Sequence, residues 1–124
     1  MTSVLASRAM KHFAQTLELK DDPVLIEEYR RRHARVWPEV VHALRAIGIA
    51  RMRIFLHSNR LFMYCEVPDG FEPARDYQAY ARDARCREWD ETMRRFQQQV
   101  PRADPSSWWT PMEEVFDLEQ QARS

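Results

Sequence analysis

The chain has 124 residues, about one domain's worth, and its 44% hydrophobic and 31% charged residues allow a packed core and exclude intrinsic disorder. Nineteen basic residues balance nineteen acidic ones, so neither nucleic acid nor an anionic membrane is an expected partner. No apolar stretch is long enough to span a bilayer; the two cysteines, Cys65 and Cys86, form no CxxC pair, which excludes a disulfide framework and a cysteine-rich zinc site and predicts a reduced, cytoplasmic protein.

Residues 1–10 lack the apolar core of a signal peptide and read as a flexible lead-in, with Met10 as an alternative start; residues 11–124 read as a single domain. His12 to Leu19 alternates, with Phe13, Gln15, Leu17 and Leu19 on one side, and predicts a strand. Asp22-Pro23 supplies an acidic cap followed by proline at the first helical position. Leu25, Tyr29, Val36, Val40, Ala43 and Ile47 then form one helical stripe. Pro38 predicts a break near Trp37-Pro38, and Gly48 ends the helix.

Ile49 to His57 and Leu61 to Val67 are predicted strands of a hairpin. Their link, Ser58-Asn59-Arg60, suits a tight turn because Asn tolerates left-handed geometry. Pro68-Asp69-Gly70 closes the pair. Pro73 to Val100 is predicted to be mostly helical. A break around residues 82–85 reconciles a stripe of Tyr77, Tyr80 and Ala84 with one of Trp89, Met93, Phe96 and Val100. A loop from Pro101 to Pro111 carries Trp108 and Trp109, two rings that should cover a pocket or a subunit contact. Met112 to Leu118 alternates again and predicts a last strand.

The resulting fold class is α+β, a ferredoxin-like βαββαβ sandwich with both helical segments on one face of an antiparallel sheet. Ile54 beside Phe55, and Val115 beside Phe116, put apolar side chains on both faces. A second copy packed sheet to sheet, a homodimer, is the expected cover.

The segment from Tyr29 to Glu39 is the richest chemically. Tyr29 and His33 are four apart and share a helix face, which Trp37 would extend if the helix persisted. A phenol, an imidazole and an indole on one stripe either line a sugar pocket or pack as partly buried residues beside a solvated histidine. Arg30 to Arg32 should lower the His33 pKa and the nearby helix C-terminus should raise it, so the sign stays open. Arg30, Arg31, Arg32 and Arg35 read as a solvated basic face answering Glu27 and Glu28. Trp89 reads as core, with Asp90 facing elsewhere, and Cys65 as a buried small hydrophobe. The four histidines, His12, His33, His42 and His57, show no helical zinc spacing, and no metal is expected.

The run Glu28-Tyr29-Arg30-Arg31-Arg32-His33, followed by Val36-Trp37-Pro38-Glu39, resembles the EYxRRHxxxWPE signature of the L-rhamnose mutarotase family. Cys86 three positions before Trp89, and the close Met112-Glu113-Glu114-Val115-Phe116, agree with it. The resemblance implies a dimeric α/β barrel of ferredoxin-like protomers, a monosaccharide substrate and no cofactor. By position, His33 matches the family's general acid, Tyr29 a substrate-binding tyrosine and Trp89 the first of a substrate-binding tryptophan pair. The second tryptophan is Asp90 here, and a further substrate-binding tyrosine is Met52. Those two departures change which hydroxyls are read and make L-fucose a competitor of L-rhamnose.

The implied reaction interconverts α and β anomers of a 6-deoxy-hexose. A base takes the proton of the anomeric hydroxyl, an acid protonates the ring oxygen, and the ring opens and recloses. His33 is the expected acid/base residue, Tyr29 orients the sugar, Trp89 binds it, and Trp37 and Asp90 are further candidate contacts. The second proton-transfer group is left open among Glu39, Tyr29 and a water. Three other readings fit the same fold: a cofactor-independent monooxygenase or haem-degrading enzyme, a non-catalytic sugar-binding module, and a purely structural dimer with no saturable ligand.

Overall fold

The computed structural model describes residues 9–122. It opens with β1 (Met10–Leu19), then α1 (Pro23–His33) and α2 (Pro38–Ala46). The hairpin β2 (Arg51–His57) and β3 (Arg60–Pro68) follows, then α3 (Pro73–Tyr80) and α4 (Ala84–Arg94). The short strands β4 (Gln97–Gln98) and β5 (Thr110–Met112) and a 3-10 turn at Leu118–Gln120 end the described chain. Strand order is β2-β3-β1-β4, all antiparallel, with β5 also on β1. The ferredoxin-like α+β expectation holds. β1 starts at Met10, opposite Pro68, so Met10 belongs to the sheet and not to the expected lead-in; residues 1–8 lie outside the described residues.

Local chemistry sets most element ends. The Asp22 carboxylate accepts from the Val24 amide at 2.9 Å, and Pro23 opens α1. Pro38 opens α2 with Trp37 as the preceding residue, so the expected break is where Pro38 cannot continue a hydrogen-bond ladder. Gly48 has φ +110°, a conformation that side chains rarely adopt. The Asp83 carboxylate accepts from Arg85 and Cys86 amides at 2.7 and 3.3 Å, which starts α4 inside the predicted break.

Three expectations are corrected. The left-handed residue of the β2–β3 turn is Ser58, with φ 55°. Asn59 serves differently: its side chain donates to the Leu19 carbonyl at 2.9 Å, and its own carbonyl accepts from the Leu19 amide. The second long helix ends at Arg94 and not at Val100, because Gln97 pairs with Leu19 in the sheet. Phe96 and Val100 are buried all the same. The last strand covers only Thr110–Met112, and Val115, Phe116 and Leu118 are 87%, 63% and 72% exposed. Their alternation is that of a half-buried strand, but this protomer offers no surface to bury it.

The helices cover one face of the sheet. Leu17, Leu19 and Leu61 below meet Tyr29, Val40, Tyr80, Cys86, Trp89, Met93 and Phe96 above. Every residue of the predicted stripe from Leu25 to Ile47 joins this core. A smaller cluster of Ile49, Val67 and Phe71 takes in Met52. Trp108 and Trp109 pack against the main core. The opposite sheet face keeps Phe55 and Phe62 exposed.

Candidate active site

α1 carries the chemistry in its last turn. Tyr29 is buried at its core face, and the (i, i+4) spacing stacks the His33 imidazole on its ring, centroids 4.1 Å apart. His33 Nδ1 lies 3.0 Å from the Tyr29 carbonyl oxygen. A carbonyl can only accept, so Nδ1 carries the proton, and neutral His33 keeps its lone pair on Nε2. The edge of the His33–Trp89 pair closes at 5.5 Å, and Phe96 sets its ring edgewise to Tyr29 at 6.1 Å. The sequence stripe is thereby half right. Tyr29 and His33 share a face, but α1 ends at His33, so Trp37 does not continue it. Trp37 instead meets Trp89 at 5.2 Å, and the Arg85 guanidinium lies 3.8 Å over the Trp37 ring.

Beside these rings is an open cleft of about 390 Å³, within the size range of small-molecule sites. Tyr29, Arg30, His33 and Ala34 form its helical wall. Ile54 and Leu56 of β2 and Leu61 of β3 form an aliphatic floor. Burial lowers the His33 pKa below the ordinary histidine value, and the Nδ1 bond to the Tyr29 carbonyl opposes this in part. The sign left open by the sequence is decided by desolvation, so at neutral pH the imidazole is uncharged. Burial pushes the Tyr29 phenol up to about 12, against a hydrogen bond from the Gln97 side chain. Among the described residues no three His, Cys, Asp or Glu side chains converge as a metal site.

The L-rhamnose mutarotase family model matches residues 12–118. This chain belongs to the L-rhamnose mutarotase family. It is 45% identical over 113 residues to a UPF0734 protein of Dictyostelium discoideum, covering 88% of this chain and 90% of the relative. It is 36% identical over 114 residues to the L-fucose mutarotase of Xanthomonas campestris, covering 90% and 91%. The crystal structure of the L-rhamnose mutarotase of Formosa agariphila has the same fold, with a TM-score of 0.64 at 24% identity, over 87% of this chain and 98% of the other. The mutarotase fold thus frames the Tyr29–His33 pair, and the chain is an isomerase that interconverts sugar anomers.

The other candidate residues of this mutarotase sit around the pair in different ways. Trp89 and Trp37 stand behind His33 as its packing wall. Asp90 accepts from the Tyr80 hydroxyl at 2.9 Å. It does not border the cleft. Burial raises its carboxyl pKa, against the Tyr80 bond and Arg94. Met52 packs in the smaller core cluster, not on the cleft floor. Glu39 lies outside the cleft with its carboxylate 3.9 Å from Arg85 Nε. The basic run pairs as expected, Arg32 with Glu28 at 2.9 Å and Arg30 loosely with Glu27 at 3.6 Å. Sequence reasoning missed Arg30 as a cleft residue. It also missed Ile54, Leu56 and Leu61 as the floor, although the period of two along β2 puts Ile54 and Leu56 on one face.

Proposed function

We propose that this chain interconverts the anomers of a 6-deoxy-hexose, L-fucose ahead of L-rhamnose, in the cleft between α1 and the hairpin. The observation that carries the reading is the His33 imidazole: half-buried, neutral, held at Nδ1 by the Tyr29 carbonyl and bordering a cleft with an aliphatic floor. Nε2 takes the proton of the anomeric hydroxyl, and the protonated ring returns one when the sugar recloses. Tyr29 binds the sugar, Trp89 braces His33 from behind, and Ile54, Leu56 and Leu61 accept the sugar's C6 methyl group. L-fucose is placed first for two reasons. A 36% identical relative over 90% of this chain is named for it, and Asp90 and Met52 replace two aromatic groups of the rhamnose-type pattern with a carboxylate and a thioether. The two sugars differ at C2 and C4; Asp90, bonded to Tyr80 outside the cleft, and Trp37, packed on Trp89, bear on that choice through the wall behind His33.

The functional unit we propose is a cytoplasmic homodimer. Phe55, Phe62, Val115, Phe116 and Leu118 are exposed apolar groups on the uncovered sheet face and the chain's last stretch, which a second copy would bury. Cys65 and Cys86 are free, buried thiols, as suits a reducing compartment. No helix among the described residues is long and apolar enough to cross a membrane.

Saturation-difference NMR tests the reaction. Irradiating one anomeric proton of L-fucose or L-rhamnose, with catalytic amounts of protein, transfers saturation to the other only if exchange is fast. Transfer with L-fucose exceeding that with L-rhamnose is expected. No transfer across a panel of aldoses would leave a sugar-binding module. Sedimentation equilibrium tests the dimer, and a monomer mass at micromolar concentration would overturn it.

A further inference from the structure

We infer that Arg30 determines sugar specificity, its guanidinium donating to two neighbouring ring hydroxyls on the C2–C3–C4 edge of the pyranose. The inference deepens the proposed function and rests on its placement of the sugar. A sugar hydroxyl both donates and accepts, so a cleft that holds one needs donors as well as acceptors. The described residues lining this cleft offer few. Ala34, Ile54, Leu56 and Leu61 carry no polar side-chain atom. Neutral His33 commits Nδ1–H to the Tyr29 carbonyl, which leaves Nε2 as an acceptor. The Tyr29 hydroxyl is paired with Gln97, which does not border the cleft. Arg30 remains on the wall, and a guanidinium carries only donors.

The surroundings of Arg30 leave it available. Arg32, on the same helix, is held by Glu28 at 2.9 Å and lies over the Phe96 ring. Arg31 lines a separate groove with Pro23 and Val24. Arg30 meets only Glu27 among the described residues, at 3.6 Å, with the two side chains 64% and 61% exposed. An exposed pair of that length is worth little, so a sugar can draw the guanidinium away at small cost. The placement of the sugar sets what the fork can reach. O1 goes to His33 Nε2 and the C6 methyl group to the aliphatic floor, and these substituents sit on the two carbons flanking the ring oxygen. The hydroxyls at C2, C3 and C4 line the opposite edge. Neighbouring ones present their oxygens side by side, which suits a planar fork of N–H groups. L-Fucose and L-rhamnose differ on this edge, at C2 and C4, so the fork meets a differently arranged pair of oxygens in each.

Arg30→Met keeps the stem and a good helix former and removes every donor. Its Kd for L-fucose by calorimetry, and its KM in the NMR exchange assay, are expected to rise about tenfold, with kcat within a few-fold of the parent's and the melting temperature near it. Arg31→Met, outside the cleft, should change neither constant. Analogues of L-fucose lacking the hydroxyl at C2, C3 or C4 identify the pair. The parent should bind two of the three, neighbours on the ring, several-fold more weakly than L-fucose, and Arg30→Met should bind those two and L-fucose alike. Constants for Arg30→Met within about twofold of the parent's would overturn the inference. So would a fall in kcat at unchanged Kd and KM, or analogue losses of equal size in both proteins. A parent that binds L-fucose through Arg30 but exchanges no aldose would overturn the proposed reaction and leave this inference standing; a parent that binds no aldose would overturn both.

Discussion

His33→Asn separates the chemistry at this site from its packing. The asparagine amide can still donate to the Tyr29 carbonyl that holds Nδ1 in the parent, but it places nothing basic at the position of Nε2. The stability cost comes from the gap left between the Tyr29 and Trp89 rings, and a substitution of this kind costs about 1–2 kcal/mol. A domain starting from only about 5 kcal/mol would keep at least about 3 kcal/mol, and more than about 99% would stay folded at 25 °C. Loss of a positioned base costs roughly 100- to 10,000-fold in rate, or about 2.7–5.5 kcal/mol of barrier. The rate effect therefore exceeds anything unfolding can contribute. NMR exchange with L-fucose, alongside a thermal melt, reads both quantities on one preparation. A folded His33→Asn protein that keeps activity within about threefold of the parent would refute the role of His33 and the reasoning from its hydrogen bond.

Three further outcomes follow from the same geometry. Because the folded-state pKa of His33 is depressed below 6.5, kcat/KM should be flat through neutral pH and fall with slope one only on the acid side of 6.5; an inflection above 6.5, from rates measured between pH 4.5 and 9, would contradict the burial argument. The same depression means the unfolded chain takes up the His33 proton first, so its contribution to stability is lost as pH falls from 6.5 through the folded pKa. Arg85→Ala removes the guanidinium over Trp37 and loosens the Trp37–Trp89 wall behind His33; a few-fold fall in kcat, an altered tryptophan emission and an acid limb moved toward 6.5 are expected, and an unchanged limb would make the stack mere surface packing. Asp90→Asn keeps the acceptor for Tyr80 but removes a charge that burial disfavours, so the melting temperature at pH 7 should rise; an unchanged or lower one would contradict the burial argument.

Much of this fold is written in single residues whose physics is local. The Asp22-Pro23 start, the Pro38 break and the Gly48 end need no tertiary information, since each depends on a cap, a missing amide proton or a positive φ. The Tyr29–His33 pair was legible for the same reason, because helical spacing alone puts both rings on one face. The partners of that pair were not. Trp89 arrives from a helix far along the chain, and its place at the edge of His33 depends on how α4 packs, which no periodicity encodes. Charge alone puts Arg30 on a solvated face, yet it both leans toward Glu27 and borders the cleft. A long side chain at the end of a helix can serve both environments.

The alternation at residues 112–118 failed differently. Period two reports that one side of a segment is meant to be buried, but it does not say by which molecule. Inside one protomer the pairing with β1 stops at Met112, and among the described residues the His12–Glu114 contact at 2.7 Å is the side-chain bond that ties the following stretch to the sheet. Glu114 raises the pKa of His12, so the tie is strongest below 6.5 and weakens as pH rises through the raised value. Val115, Phe116 and Leu118 remain in water beyond it. Three large exposed apolar residues, two of which (Phe116 and Leu118) share one side of the alternation, are poorly explained as a solvated segment. The same sheet leaves Phe55 and Phe62 uncovered on its far face. The sequence pattern and the exposed surface agree if the missing half of this strand's environment belongs to a second copy, so the mismatch within the protomer is itself the argument for the dimer.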